Sequence, residues 1–205
     1  MMYEKIVKRL IDIILSGVGI VILAIPMAVV AVLIKLDTPG PVFFRQKRIG
    51  IHKSHFMIFK FRSMPTDAPK DTPTHELKGT ESLMTPFEEK IRKYSIDEIP
   101  QLFNIFEGDM SFVGPRPALW NQFDLIEERD KYGANDVKPG LTGWAQINGR
   151  DELPIEVKAA YDGEYVKKQS FLFDLKCFFR SFFKVATAEG VSEGGPSDGG
   201  KNSRG

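Results

Sequence analysis

The longest apolar stretch lies near the N-terminus, where Ile13 to Ile34 (IILSGVGIVILAIPMAVVAVLI) runs 22 residues without a charge between Asp12 and Lys35. As a straight helix it is about 33 Å long, which matches a bilayer hydrocarbon core of roughly 30 Å. It is too long for a signal peptide and has no small-residue cleavage site after it, and the absence of a polar face argues against an ordinary core helix. Pro26, mid-run, predicts a kink. Lys5, Lys8 and Arg9 precede the run, and Lys35, Arg45, Lys47, Arg48 and Lys53 follow it, so both ends carry the basic signature of the cytoplasmic side. A re-entrant helix that dips in, breaks at Pro26 and returns satisfies both flanks. A single span is the alternative.

Beyond the run, Pro39, Gly40 and Pro41 punctuate the chain before a short extended piece, Val42 to Phe44. HFMIFKFRSM alternates, with Phe56, Ile58 and Lys60 on one face and Met57, Phe59 and Phe61 on the other; the two segments suit a small hairpin. Residues 65–82 are polar and proline-rich and read as a loop. Helical spacing then dominates. Ile99, Leu102, Phe103 and Phe106 recur at i, i+3, i+4 and i+7; ALWNQFDLIEERDKYG points Leu119, Phe123 and Ile126 inward; residues 155–168 follow the same period. DVKPGLTGWAQINGRDELP reads as an ordered loop. SFLFDLKCFFRSFFKVAT gathers Phe171, Leu172, Leu175, Phe178, Phe179, Phe182 and Phe183 on one stripe, opposite Lys176, Arg180 and Lys184. That face suits an anionic membrane interface, with a core-facing helix as the alternative. The fold expected is mainly α with a small β element. It divides into a re-entrant membrane helix (1–36), a cytoplasmic catalytic domain bearing interfacial amphipathic helices (37–188) and a disordered tail (189–205).

Composition adds exclusions. One cysteine, Cys177, rules out an intramolecular disulfide, and with His52, His55 and His75 it cannot build a typical structural zinc site. A net charge of +1 gives no global field for nucleic acid, so an anionic partner needs a local constellation. A candidate lies in RKYSIDEIPQLFNIFEGDMSFVGPRP. Asp97 and Glu98 stand side by side just before Pro100, which fits the first turn of a helix starting near Asp97. Capping is one reading of such a pair. The company points to chemistry instead: Arg92, Asp109, Arg116 in Gly114-Pro115-Arg116-Pro117, and Arg150 at the end of the glycine-rich loop. Guanidinium forks match phosphate oxygens and a hard cation prefers carboxylates, so the set suits a magnesium-bound diphosphate. Walker, dinucleotide-fingerprint, kinase and serine-elbow motifs are absent.

KLDTPGPVFFRQKRIG, IFKFRSM, RKYSIDEIPQLFNIFEGDMSFVGPRP, VKPGLTGWAQINGR and FLFDLKCFF…EGVS stand in an order that resembles the bacterial sugar transferase family, the small monotopic phosphoglycosyl transferases, up to about residue 192. DTPGPVFFRQKR and RPALWNQFDLIEERD are most similar to capsule-type priming enzymes. The resemblance implies transfer of a sugar-1-phosphate, expected to be that of an N-acetylated amino sugar, from a UDP-sugar to undecaprenyl phosphate at the cytoplasmic face of the bacterial inner membrane. It implies Asp97 as nucleophile and metal ligand, Glu98 as its assistant, magnesium as cofactor, and Arg92, Arg116, Arg150, Lys60, Gln146 and Asp174 as substrate-binding residues. The bilayer is the expected partner, nucleic acid is not, and a homo-oligomer is left open. Many relatives carry Ser-Pro at the membrane break, where this chain has Ile25-Pro26. The competing functions are a non-catalytic nucleotide-sugar-binding scaffold and a lipid diphosphate phosphohydrolase.

Overall fold

The computed structural model describes residues 3–66, 68–69, 72, 84–149 and 153–186. Most of the proline-rich loop, Arg150 and the glycine-rich tail lie outside the described residues. Helix α1 (Lys8–Asp37, 30 residues) follows a short π-helical turn, Tyr3–Val7. At 1.5 Å per residue it is about 45 Å long. Among the described residues it is the one helix long and apolar enough to cross a membrane, and only 6% of its most apolar window is buried. The break expected at Pro26 does not occur, since the helix continues through it. Proline removes one N–H and leaves the Ile22 carbonyl without its intrahelical donor. At an exposed position that single loss leaves the ladder on either side standing.

One stripe of α1 faces the rest of the chain: Asp12, Ser16, Ile20, Leu23, Met27, Val30 and Ile34, spaced by three and four residues. Its N-terminal end is tied by charge. Lys8 pairs with buried Asp174, which also accepts from the hydroxyls of Tyr3 (2.6 Å) and Tyr165 (2.9 Å). Asp12 accepts from Ser111 Oγ and the Phe112 N–H, both at 3.1 Å. Arg9 donates to the carbonyls of Ile105 (2.6 Å) and Phe106 (2.8 Å) in the last turn of a second helix, where no intrahelical donor reaches. The C-terminal end is held by Arg62, whose guanidinium donates to the carbonyls of Ile34 (3.2 Å), Thr38 (2.7 Å) and Pro39 (2.9 Å). Both ends of the apolar helix are therefore pinned to the same globular body.

The hairpin forms from β1 (Phe43–Ile49) and β2 (His55–Phe61), antiparallel, with Phe43 opposite Phe61 and Ile49 opposite His55. Phe56 and Ile58 point inward, as their alternation predicts, onto Leu102, Ile105 and Met110 and onto Ile20 and Leu23 of α1. Helix α2 (Pro86–Lys93) starts with a complete capping box between Thr85 and Glu88 and with Pro86 in its first turn. In α3 (Gln101–Glu107) the buried apolar residues are Leu102 and Ile105, while Phe103 and Phe106 are 38% and 46% exposed. The buried face is rotated towards Leu102 and Ile105, which pack with Phe56 and Ile58 of β2 and with Ile20 and Leu23 of α1.

Two further strands, β3 (Ser111–Val113) and β4 (Gly140–Thr142), pair in parallel. Helix α4 spans only Phe123–Asp130, since Leu119 to Gln122 closes a turn in which the Gln122 N–H donates to the Leu119 carbonyl at 3.1 Å. That late start shifts the phase: Phe123, expected inward, is 66% exposed, and Leu125 and Arg129 face the core instead. Arg129 forms a buried ion pair at 2.6 Å with Asp162 of α6 (Ile155–Lys168), which follows the short α5 (Trp144–Asn148). Helix α7 (Phe171–Ala186) turns Asp174 and Cys177 inward and leaves all seven residues of the predicted stripe exposed. The core-facing alternative for that stripe fails.

Removing one partner of a buried pair strands the other, so Asp174→Ala should cost about 3–5 kcal/mol of stability. Lys8→Met combined with Asp174→Leu should recover most of it. Thermal unfolding in detergent measures both, and an Asp174→Ala protein as stable as wild type contradicts the tie.

Candidate active site

The acidic pair sits on a 3₁₀ turn, Ile96–Glu98, between α2 and α3. Ser95 enters it at φ 53°, ψ 26°, a left-handed conformation that strains a side-chain-bearing residue. Pro100, at φ −61°, presets the start of α3, and neither the turn nor the helix is capped by a side chain. Asp97 is thus the N-cap of neither element among the described residues.

Strand β2 supplies the neighbours. Lys60 donates to Glu98 Oε1 at 2.7 Å and lies 3.9 Å from Asp97 Oδ2, which Ser63 Oγ approaches to 3.4 Å. Arg116 reaches Glu98 Oε1 at 3.3 Å. Glu98 is thus closely paired, while the contacts to Asp97 are long. Asp97 is 6% exposed. Its carboxyl is pushed up to about 6, chiefly by burial and further by the Glu98 charge, against the opposing pull of Lys60, Arg92 and Arg116.

These groups line a cleft of about 470 Å³. Of the residues named from the sequence, Asp97, Glu98, Arg92, Arg116, Lys60 and Gln146 meet in it; Arg150 lies outside the described residues. Asp109 is not on the cleft, and neither is Asp174. Asp174, named from the sequence as a substrate-binding residue, lies instead buried between Lys8, Tyr3 and Tyr165. Arg45, Arg48 and Ser63 were missed as site residues. The first two stood out only as membrane-flanking charges, and only the hairpin register carries them to the cleft. Among the described residues the wall carries six cationic side chains (Arg45, Arg48, Lys60, Arg62, Arg92, Arg116) against two carboxylates. A chain of net charge +1 thereby concentrates positive charge where an anion can use it.

Backbone contact holds the Arg116 loop in place. The Gly114 N–H donates to the Thr142 carbonyl at 2.9 Å, and the Gly140 N–H to the Pro115 carbonyl at 2.8 Å. A Cβ on Gly140 would lie 2.1 Å from the Gly114 nitrogen, and one on Gly143 would lie 2.1 Å from the Gly114 oxygen. Only glycines let the two loops touch, which sets Arg116 on one side of the cleft and Gln146, on α5, on another.

Among the described residues no group of three His, Cys, Asp or Glu side chains converges. A magnesium ion held largely by phosphate oxygens needs only one or two carboxylates, and the Asp97–Glu98 pair fits that requirement.

Residues 3–188 match the family model for bacterial sugar transferases. The chain is 38% identical over 188 residues to a Bacillus subtilis (strain 168) protein named as the uncharacterized sugar transferase EpsL, covering 92% of this chain and 91% of that protein. It is 40% identical over 190 residues to the undecaprenyl-phosphate glucose phosphotransferase of Komagataeibacter xylinus, covering 86% of this chain and 35% of the relative. A UDP-N-acetylgalactosamine-undecaprenyl-phosphate N-acetylgalactosaminephosphotransferase of Aeromonas hydrophila is 36% identical over 191 residues, with 90% and 45% covered. The chain thus spans nearly all of the first relative and less than half of the other two.

A buried carboxyl with a raised pKa holds its proton more tightly folded than unfolded, so its ionisation weakens the fold as pH rises from about 4 to about 6. Asp97→Asn should therefore be more stable than wild type at pH 8, with the difference vanishing towards pH 4. Melting temperatures across that range check this; a variant less stable at pH 8 would mean that Asp97 holds the fold together.

Proposed function

The chain belongs to the bacterial sugar transferase family, and from that membership we propose that it is an undecaprenyl-phosphate sugar-1-phosphate transferase working through a covalent aspartyl intermediate. The observation that carries this reading is a buried carboxylate lining a cationic cleft. Asp97 attacks the phosphorus bonded to the sugar. The bond from that phosphorus to the oxygen shared with the uridine-side phosphate breaks, and UMP leaves with the electron pair. A phosphate oxygen of undecaprenyl phosphate then attacks the same phosphorus, the Asp97–phosphorus linkage breaks, and the carboxylate is regenerated. The balance is UDP-sugar plus lipid phosphate giving UMP plus lipid diphosphate sugar.

A carboxylate is a weak nucleophile, so the rate must come from positioning and charge neutralisation. Lys60 and Arg116 hold Glu98 to one side, which leaves Asp97 the carboxylate better placed to reach phosphorus. Arg92, Arg116 and Arg150 hold phosphate oxygens, and Gln146 contacts the donor. Bound at the acidic pair, magnesium would neutralise the diphosphate. The donor expected is an N-acetylated amino sugar; relatives are named both for glucose and for N-acetylgalactosamine, and a panel of UDP-sugars scored by UMP release assigns it.

Both ends of α1 are tied to the domain that carries the cleft, and this supports a monotopic arrangement with both ends of the helix on the cytoplasmic face, and with the Phe-rich side of α7 in the membrane interface. A cysteine placed at residue 2 should stay unlabelled by an impermeant thiol reagent added to intact cells, in a Cys177→Ser background. Labelling from outside refutes it.

The chemistry is tested on the intact protein. Brief incubation with UDP-sugar and magnesium, without lipid, should add the mass of a phosphosugar at Asp97, and undecaprenyl phosphate should remove it. Asp97→Asn should form no adduct and lose turnover by at least about a thousandfold. Because the ionised form attacks, the rate should rise with pH through an acid limb near 6. Substantial activity in Asp97→Asn, or UMP released only when lipid is present, would favour direct transfer between bound substrates.

A further inference from the structure

The cleft wall carries two kinds of residue. The acidic pair stands with Lys60, Arg92 and Arg116, and an apolar set, Pro41, Phe43, Phe44, Met64 and Pro65, here called the lip, carries no charge, with Arg45 and Arg62 close to it in the chain. Phe43 is 48% exposed although large and apolar. Its ring stacks on Phe61 at 5.5 Å between centroids, and Phe61 packs against Ile34, with Val30, Ala31 and Val42 around it. The lip is thus continuous with the C-terminal end of α1, only a few residues up the chain, where Arg62 pins the carbonyls of Thr38 and Pro39. On the other side of that end Val29, Val32, Leu33 and Leu36 are exposed. Apolar residues therefore join the C-terminal end of α1 to the lip, by way of Ile34 and Phe61 and the stacked Phe43 ring. A nucleotide sugar is hydroxyl-rich and gains little from such a lip, whereas burial of an alkyl or alkenyl chain there is favourable.

We propose that the Pro41–Phe44 and Met64–Pro65 lip is the acceptor subsite, seating the first isoprene units of a polyprenyl phosphate so that its phosphate reaches Asp97 from the side of α1. This rests on the transferase reading and adds to it the direction of approach and the residues that select a chain over a bare phosphate. Phe43 and Phe44 then act as specificity residues for the acceptor.

The test compares the full-length protein with Phe43→Ser and Phe44→Ser in detergent, using undecaprenyl phosphate and a two-isoprene phosphate as acceptors. Wild type should favour the long chain, and each variant should lose about tenfold in kcat/KM for it, little for the short one, with the KM for UDP-sugar moving by less than about twofold. Equal losses on both acceptors, no chain-length preference in wild type, or a KM effect confined to UDP-sugar would overturn the assignment, the last by giving the lip to the nucleotide. A polyprenyl phosphate bearing a diazirine in its first isoprene unit separates this from failure of the transferase reading. Crosslinking within residues 41–44 or 64–65 supports the subsite even if no UMP is released, and crosslinking elsewhere overturns it even if turnover is normal.

Discussion

A helix too apolar for water is held to this protein by the few polar groups it carries, and the placement of the cleft follows from them. Asp12 accepts from Ser111 and from the Phe112 N–H, which seats β3 against α1. Strand β3 runs directly into Gly114-Pro115-Arg116-Pro117, and the Gly114 and Gly140 contacts lock that loop to β4. Arg116 thereby owes its position to a carboxylate inside the N-terminal helix. At the other end Arg62 caps α1, and Lys60 and Ser63, close by on the same segment, meet the acidic pair. Helix α1 and the cleft share their supports, so a change that loosens α1 reaches the cleft through two separate routes.

The pair itself is a balance of opposed terms. Burial alone would keep Asp97 protonated, and a second carboxylate next to it makes matters worse. Lys60, Arg92 and Arg116 pull the other way, and Lys60 is the largest of the three. Surrounding the pair with still more fixed cation would ease ionisation and blunt the carboxylate. The balance leaves the Asp97 carboxyl raised and weakly contacted, while the shorter contacts go to Glu98.

What could be read from the sequence was whatever has a period or a fixed local spacing. The charge-free run, the alternation in HFMIFKFRSM and the Phe stripe of α7 all appear in the structure as written, because each depends on neighbours within a few residues. The acidic pair, Arg92 and Arg116 were legible from the residues themselves and Lys60 and Gln146 through resemblance, and all of them line one cleft. Long-range effects were not legible. Three-residue strands such as β3 and β4 carry no pattern, and the glycine contacts between Gly114 and Gly140 span loops with nothing in common locally. The turn at Leu119 to Gln122 displaced the α4 phase and sent Phe123 outward. Asp174 was visible as a carboxylate in an apolar helix, but its partner Lys8 is 166 residues away.

A cleft of about 470 Å³ is of the size that takes a ligand of ordinary dimensions. On the proposed reading the two substrates differ in where they live, one in water and one in the bilayer. The covalent route we propose would meet that difference, because the donor's departing nucleotide would vacate the cationic wall before the acceptor phosphate needs it. The same arginines can then serve two phosphates in turn. On this view the raised position of the Asp97 carboxyl, the lip beside α1 and the surplus of positive charge are parts of one solution: a wall that accepts phosphate from either side, and a nucleophile that keeps the phosphosugar in place between the two visits.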